Sequence, residues 1–161
     1  MMIMTAKVNM KKVLIVLGAI AALLIGIIAL FGGEDTAPTS ATVSDNDSRV
    51  NFLKGFGWEV TTSPVESTQV RIPSETNEVF DRYNQLQQAQ GYDLTKYAGK
   101  KAMRYVYKVT NYPGATDPVF ATVLVYKNQI IGGDITNTAS GGKIQSFKMN
   151  GSVMETAPSS T

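Results

Sequence analysis

The distribution of apolar and polar residues separates one long apolar run from the rest of the chain. Residues 13–31 are all apolar, alanine or glycine, and a helix of this length reaches about 28 Å at 1.5 Å per residue. The run therefore predicts a transmembrane helix. A cleaved signal peptide is the alternative, whereas a soluble core helix is disfavoured because such a helix would need a polar face.

Charges beside the run predict its orientation. Residues 1–12 carry three lysines, and two acids follow the run at positions 34 and 35. The excess of positive charge before the run predicts a cytoplasmic basic head and places everything after the run outside. The expected location is thus the cell membrane, with a single pass and an extracytoplasmic C-terminal part.

Two polar segments delimit a single domain. Residues 32–47 are rich in Gly, Thr, Ser, Ala and Asp, which predicts a flexible linker with an r.m.s. reach of roughly 20–25 Å. Residues 150–161 are small and polar, which predicts a disordered tail. The extracytoplasmic domain is therefore expected over residues 48–149, a length that can bury a core of its own.

Two amphipathic helices are predicted in this domain. The first is capped at Asp47 or Ser48 and ends at Gly57, with apolar residues at spacings of three and four between them. The second is capped at Ser74 and carries Leu86 in its buried stripe.

The remaining segments have the period of two that is typical of strands. From Met103 to Val109, every odd-numbered residue is apolar or aromatic, whereas Arg104 and Lys108 lie on the opposite face. We expect the odd-numbered face to pack under the helices and Arg104 and Lys108 to face solvent.

Other segments complete the sheet. Residues 65–72 form an extended piece, and the nearly continuous apolar run 119–126 predicts a central strand that is covered on both faces. A tight turn then leads into residues 129–134, and residues 143–149 offer a further strand. The predicted fold is α+β, with two helices on one face of an antiparallel sheet of four or five strands.

Composition narrows the function. The chain has a formal net charge of +2, but beyond the basic head it carries 12 Lys or Arg against 13 Asp or Glu, so a nucleic acid is not an expected partner. The absence of histidine and cysteine excludes His-based catalytic triads, imidazole or thiolate zinc sites and disulfides. No cofactor and no metal are expected.

Several blocks taken together resemble a known family. They are VNFLKGFGWEV at 50–60, VRIP at 70–73, GYDLTKY at 91–97, NYP at 111–113 and IGGD at 131–134. Their order and spacing resemble domain of unknown function 4830, a family of small domains of Gram-positive bacteria that typically follow one N-terminal membrane segment. The resemblance implies the anchored topology and the domain limits, and it implies no activity and no functional residues.

Four positions offer a binding surface. Trp58 could be an exposed aromatic platform for a glycan or peptide, although an aromatic at a helix-to-strand corner more often closes a core. Arg104 and Lys108, with Tyr105 beside them, could meet an anionic or peptide ligand, and the simpler interpretation is a solvated strand face.

Carboxylates offer the catalytic alternative. Glu59 and Asp134 lie near strand ends, where a glycosidase-like pair would need a separation of about 5–9.5 Å. Asp134 is also a candidate binding residue.

These observations favour a non-catalytic interaction or sensing module at the cell envelope. Its expected partners are the membrane and another envelope protein, a peptide or an anionic wall polymer. The alternative function is a cell-wall-acting hydrolase that uses Glu59 and Asp134.

Overall fold

The computed structural model describes residues 41–151 and 153–155 of the chain. The predicted basic head, the predicted transmembrane helix over 13–31 and most of the predicted linker lie outside the described residues. No helix of the described part is long and apolar enough to span a bilayer. The elements are α1 (Asn46–Gly55), β1 (Glu66–Arg71), α2 (Glu78–Gln88), a 3₁₀ turn (Leu94–Tyr97), β2 (Lys101–Val109), β3 (Val119–Tyr126), β4 (Gln129–Asn137), β5 (Lys143–Gln145) and β6 (Val153–Glu155).

The described strands form one antiparallel sheet in chain order, β1 to β6. Lys127 and Asn128 join β3 to β4 with positive φ angles of 48° and 62°, as a tight hairpin turn requires. The α+β class is confirmed. The sheet has six strands rather than four or five because two three-residue strands, β5 and β6, extend its edge. Strand β6 falls in the segment predicted as a disordered tail.

The two helices pack on opposite faces of the sheet, so the prediction of one shared face is wrong. Leu53 of α1 belongs to a core cluster with Tyr107 of β2. Leu86 of α2 belongs to a second cluster with Ala102 and Leu124. Successive residues of a strand point to opposite faces, so the odd-numbered residues of β2 lie on the α1 face and the even-numbered ones on the α2 face. Strand β3 is accordingly buried on both faces, as its apolar run predicted.

Both helices begin at caps other than the expected ones. The carboxylate of Asp45 accepts a hydrogen bond from the Ser48 N–H at 2.8 Å, and the Ser48 hydroxyl accepts one from the Asp45 N–H. This reciprocal capping box starts α1 at Asn46. The amide oxygen of Asn77, rather than Ser74, caps α2 by accepting from Phe80 N–H at 2.8 Å.

The compact part begins earlier than Ser48. The Val43 N–H donates to the Asn128 carbonyl at 2.7 Å, and the Ala41 carbonyl accepts from Ile130 N–H at 3.0 Å. Val43 is only 2% exposed. A segment that the sequence analysis placed in the linker therefore packs along the start of β4, because its one buried apolar side chain closes the core on the α1 face.

Two adjacent glycines let β4 pass close to α2. A Cβ at Gly132 would stand 2.7 Å from the Gln87 side-chain oxygen, and one at Gly133 would collide with the Thr122 carbonyl and the Phe147 ring. The pairing of β3 with β4 also shifts register at Leu124/Val125. A bulge and close packing thus account for these glycines.

Candidate functional site

Arg104 is buried, so the prediction that it faces solvent is wrong. It occupies an even-numbered position of β2, and that face is covered by α2. Lys108, four residues further along the same face, is exposed. Tyr105 is half-buried on the α1 face, where the Arg49 guanidinium lies 3.8 Å from its ring centroid. The three residues therefore do not form a common surface.

Trp58 is a core residue. Its side chain is 1% exposed, its ring is stacked on Tyr112 at a centroid distance of 5.8 Å, and its indole N–H donates to the Phe147 carbonyl. The platform hypothesis for Trp58 is wrong, because the side chain is almost fully buried in the core cluster on the α1 face. The interpretation as a residue that closes the core is confirmed.

Glu59 and Asp134 do not face each other across a cleft. Asp134 is 3% exposed and lies under α2, whereas Glu59 is exposed next to the C-terminal end of β2. The backbone N–H of Glu59 donates a hydrogen bond to the side-chain oxygen of Asn111. The carboxylate pair that the hydrolase alternative requires is therefore not assembled in the described structure.

A cavity of about 230 Å³ on the α2 face contains the site that the structure does assemble. It is hereafter called the Arg104 cavity. Arg104, Tyr83 and Thr122 supply its inner polar groups. Its apolar wall consists of Val70, Ile72, Pro73, Phe80, Leu94 and Leu124. The cavity is thus a mainly hydrophobic space with a guanidinium group in its wall.

An ion pair holds one side of the Arg104 guanidinium. Its Nη1 donates to Glu66 Oε1 at 2.8 Å, and the two side chains are only 7% and 15% exposed. The other two nitrogens, Nε and Nη2, have no hydrogen-bond partner within residues 41–151 and 153–155, although both are buried. We call them the Nε/Nη2 edge. Buried donors are normally paired, and this edge places two unpaired donors on one side chain. Glu66 Oε2 is also buried and unpaired among the described residues.

A second polar group lies behind the cavity. The Tyr83 hydroxyl donates to one carboxylate oxygen of Asp134 at 2.7 Å, and the Thr136 hydroxyl donates to the other at 2.7 Å. Burial raises the pKa of Asp134, and the two hydroxyl donors and the charge of Arg104 oppose that rise. Burial, reinforced by the charge of Asp134, raises the pKa of Tyr83 well above its ordinary value. Tyr83 therefore remains a neutral hydrogen-bond donor near neutral pH.

The acidic groups around the cavity are engaged by neighbouring donors. The hydroxyls of Tyr83 and Thr136 occupy both oxygens of Asp134, and Glu66 is paired with Arg104. Within the described residues, no group of three or more acidic side chains is placed to hold a metal ion. What the cavity offers is a fixed guanidinium edge beside an apolar wall.

Sequence reasoning missed this site because its members come from four separate elements. Glu66 lies on β1, Tyr83 on α2, Arg104 on β2 and Asp134 on β4. One local signal was present: buried Ala102 and Val106 flank Arg104 on its own face of β2. A lone cation between two small apolar residues is typical of a covered face rather than of a solvated one.

Comparison with known proteins gives one match. The sequence model of the family described as a domain of unknown function (DUF4830) matches residues 52–135, slightly more than half of the 161 residues. The matched range includes Glu66, Arg104 and Asp134. Searches of curated proteins and of solved structures gave no match.

Proposed function

The chain belongs to the DUF4830 family, and we propose that it is a non-catalytic ligand-binding or sensing domain held at the outer face of a cell membrane. The observation that carries this proposal is the Nε/Nη2 edge of Arg104, buried in the wall of an apolar cavity. Ligand sites are commonly concave and mainly apolar, with few polar groups that fix orientation. The Arg104 cavity fits this description.

The absence of a reactive group supports binding over catalysis. The sequence has no histidine and no cysteine, so the commonest general base and the strongest nucleophile of proteins are missing. Asp134 is held by two hydroxyl donors, and a guanidinium such as Arg104 does not exchange its proton in the physiological range. A site of this kind recognises a ligand and releases it unchanged.

The membrane location is proposed from the sequence. Residues 13–31 form an apolar run of bilayer length, and the lysines of residues 1–12 favour a cytoplasmic N-terminus. The binding domain would then be outside, attached through a polar segment. This geometry suits a sensor of small molecules or of another envelope component.

Ligand-observed NMR on the full chain in lipid nanodiscs tests the binding function. The screen uses a fragment set that contains acids, bases and neutral compounds. We expect hits whose binding is lost in Val70→Phe, because Val70 lines the cavity and a phenyl ring would fill it. Val65→Phe is the matched control, since Val65 is exposed five residues earlier and is not part of the cavity wall. The function is refuted if no fragment binds, or if Val70→Phe binds every hit as the wild type does.

Cysteine labelling tests the location. The chain has no cysteine, so a single introduced thiol is the only position of this protein that a membrane-impermeant maleimide can label. Ala115→Cys, in the exposed loop between β2 and β3, should react in intact cells. Lys7→Cys should react only after permeabilisation. The reverse pattern, or equal labelling of the two positions, would contradict the proposed topology.

A further inference from the structure

We propose that the Arg104 cavity binds a small monocarboxylic acid with an apolar body, its carboxylate held by the Nε–H and Nη2–H groups of Arg104. This inference rests on the proposed binding function and specifies the chemistry of its ligand.

The shape of the guanidinium supports a carboxylate. Glu66 occupies Nη1, on the side of the group nearest to the aliphatic stem. Nε and Nη2 share the opposite edge, and their N–H bonds point in nearly the same direction. That spacing matches the two oxygens of a carboxylate, which arginine commonly binds through two parallel hydrogen bonds. An amide or ketone oxygen would satisfy only one of the two donors at full strength.

The wall of the cavity sets the rest of the ligand. Apart from Arg104, Tyr83 and Thr122, and from the exposed residues Arg71 and Asn77, the wall is made of apolar side chains. The part of a ligand that lies away from Arg104 would therefore meet a mainly apolar surface. The cavity volume of about 230 Å³ is close to the volume that about eight water molecules take up in the liquid, at roughly 30 Å³ each. A compact acid with on the order of ten non-hydrogen atoms fits this space.

The charged groups near the cavity favour a ligand with one negative charge over a ligand with two. Arg104 already faces Glu66 at 2.8 Å, and Asp134 lies close enough for the Arg104 charge to influence its titration. A dianion such as phosphate would meet repulsion from two carboxyl groups and would need more donors than one guanidinium edge provides. A monoanion with an apolar body meets weaker repulsion and needs only the two donors of this edge.

The mouth of the cavity lies at an edge of the sheet. Strand β1 has β2 as its one neighbour among the described strands, and its end supplies Val70 and Arg71 to the cavity wall. Arg71 is exposed, with one guanidinium nitrogen donating to the Gly99 carbonyl at 3.0 Å. A positive side chain at the entrance raises the local concentration of anions before they reach Arg104.

Four probes on the full chain in nanodiscs test the ligand chemistry: phenylacetate, its neutral isostere phenylacetamide, the cation 2-phenylethylamine, and inorganic phosphate. Dissociation constants come from titrations monitored by NMR. We expect phenylacetate to bind at least about tenfold more tightly than phenylacetamide, because hydrogen bonds to a charged acceptor are stronger. The amine and phosphate should bind more weakly than either.

Two variants separate a binding role from a structural one. Arg104→Lys keeps the charge but lacks the Nε/Nη2 edge, and it should weaken phenylacetate binding by more than about tenfold. Glu66→Gln keeps an acceptor for Nη1 but removes a competing negative charge, and it should strengthen binding by about threefold or more. A purely structural ion pair gives no reason for tighter binding. Arg82→Gln, on the exposed side of α2, is the control and should bind as the wild type does.

The outcomes distinguish the two proposals. If phenylacetamide or phosphate binds at least as tightly as phenylacetate, the carboxylate inference is overturned while the binding function stands. If no probe and no fragment binds in the Arg104 cavity, both proposals fail. If Arg104→Lys does not fold, the probe series on the wild type and the Glu66→Gln titration still decide, and looser binding in Glu66→Gln would count against the inference.

Discussion

Removing either partner of the Arg104–Glu66 pair should destabilise the domain far more than removing both. The perturbation is a double-mutant cycle of Arg104→Met, Glu66→Leu and the combined variant. At 2.8 Å the Coulomb attraction is roughly 6 kcal/mol for an effective dielectric constant of about 20. Most of this attraction is offset by the desolvation of the two charges.

The burial of each partner sets the size of the effect. Arg104→Met leaves the Glu66 carboxylate, which is 15% exposed, without its cation. A buried pair that loses one partner typically costs about 3–5 kcal/mol, and the adjoining cavity, which admits water to Glu66, favours the lower end. In the combined variant no buried charge remains, and we expect its free energy of unfolding to lie within about 1 kcal/mol of the wild-type value.

Urea unfolding monitored by tryptophan fluorescence measures the cycle. Trp58 is the only tryptophan of the chain and is fully buried on the α1 face, so its emission reports the unfolding of the domain. The coupling free energy between the two positions should be about 3 kcal/mol or more. The reasoning is refuted if the combined variant is at least as unstable as Arg104→Met alone, since the ion pair would then not be what makes single substitutions costly.

Four further substitutions test the packing and the electrostatics. Gly133→Ala should lower the free energy of unfolding by at least about 2 kcal/mol, because its Cβ would collide with the Phe147 ring; Gly55→Ala, where a Cβ meets open space, should raise it by about 0.5–1 kcal/mol. Leu86→Ala should cost about 2–5 kcal/mol in urea unfolding, and an unchanged midpoint would show that the packing of α2 is misjudged. Burial raises the folded-state pKa of Asp134 above its usual value of 3.8, so the carboxyl contributes stability below that pH and loses it as the pH rises through the folded-state pKa. The stability of Asp134→Asn relative to the wild type should therefore increase above pH 3.8, and a constant difference would contradict the raised pKa.

Local patterns predicted the elements but not the side of the sheet on which each helix lies. The run 119–126 correctly indicated a strand covered on both faces. Such a strand needs one helix on each side of the sheet. The odd-numbered face of β2, with Tyr105 and Tyr107, is the more apolar one, and this pattern predicted that Arg104 on the other face is exposed to solvent. Hydrophobic periodicity identifies the more apolar face of a strand, and it does not show that the other face is open.

The position of the site depends on tertiary contacts between residues that are far apart in the sequence, and the local spacing of residues does not predict such contacts. Glu66 and Arg104 are 38 residues apart, and Tyr83 and Asp134 are 51 residues apart. Each residue type has an ordinary role in its own element, so composition and spacing gave no reason to connect them. The register of β1 against β2 brings the first pair together, and the packing of α2 over β4 brings the second.

The combined variant Arg104→Met/Glu66→Leu tests stability and binding together. A buried ion pair contributes little net stability compared with apolar residues of similar size, so stability alone gives little reason to keep one beside a cavity. If the pair exists to present the Nε/Nη2 edge, the combined variant should unfold at about the wild-type urea concentration and bind phenylacetate no more tightly than phenylacetamide. Trp58 fluorescence and the NMR titration measure the two properties on the same sample. A variant that retains the preference for phenylacetate would show that the anion is held elsewhere, whereas one that loses both fold and binding would show that the pair is structural.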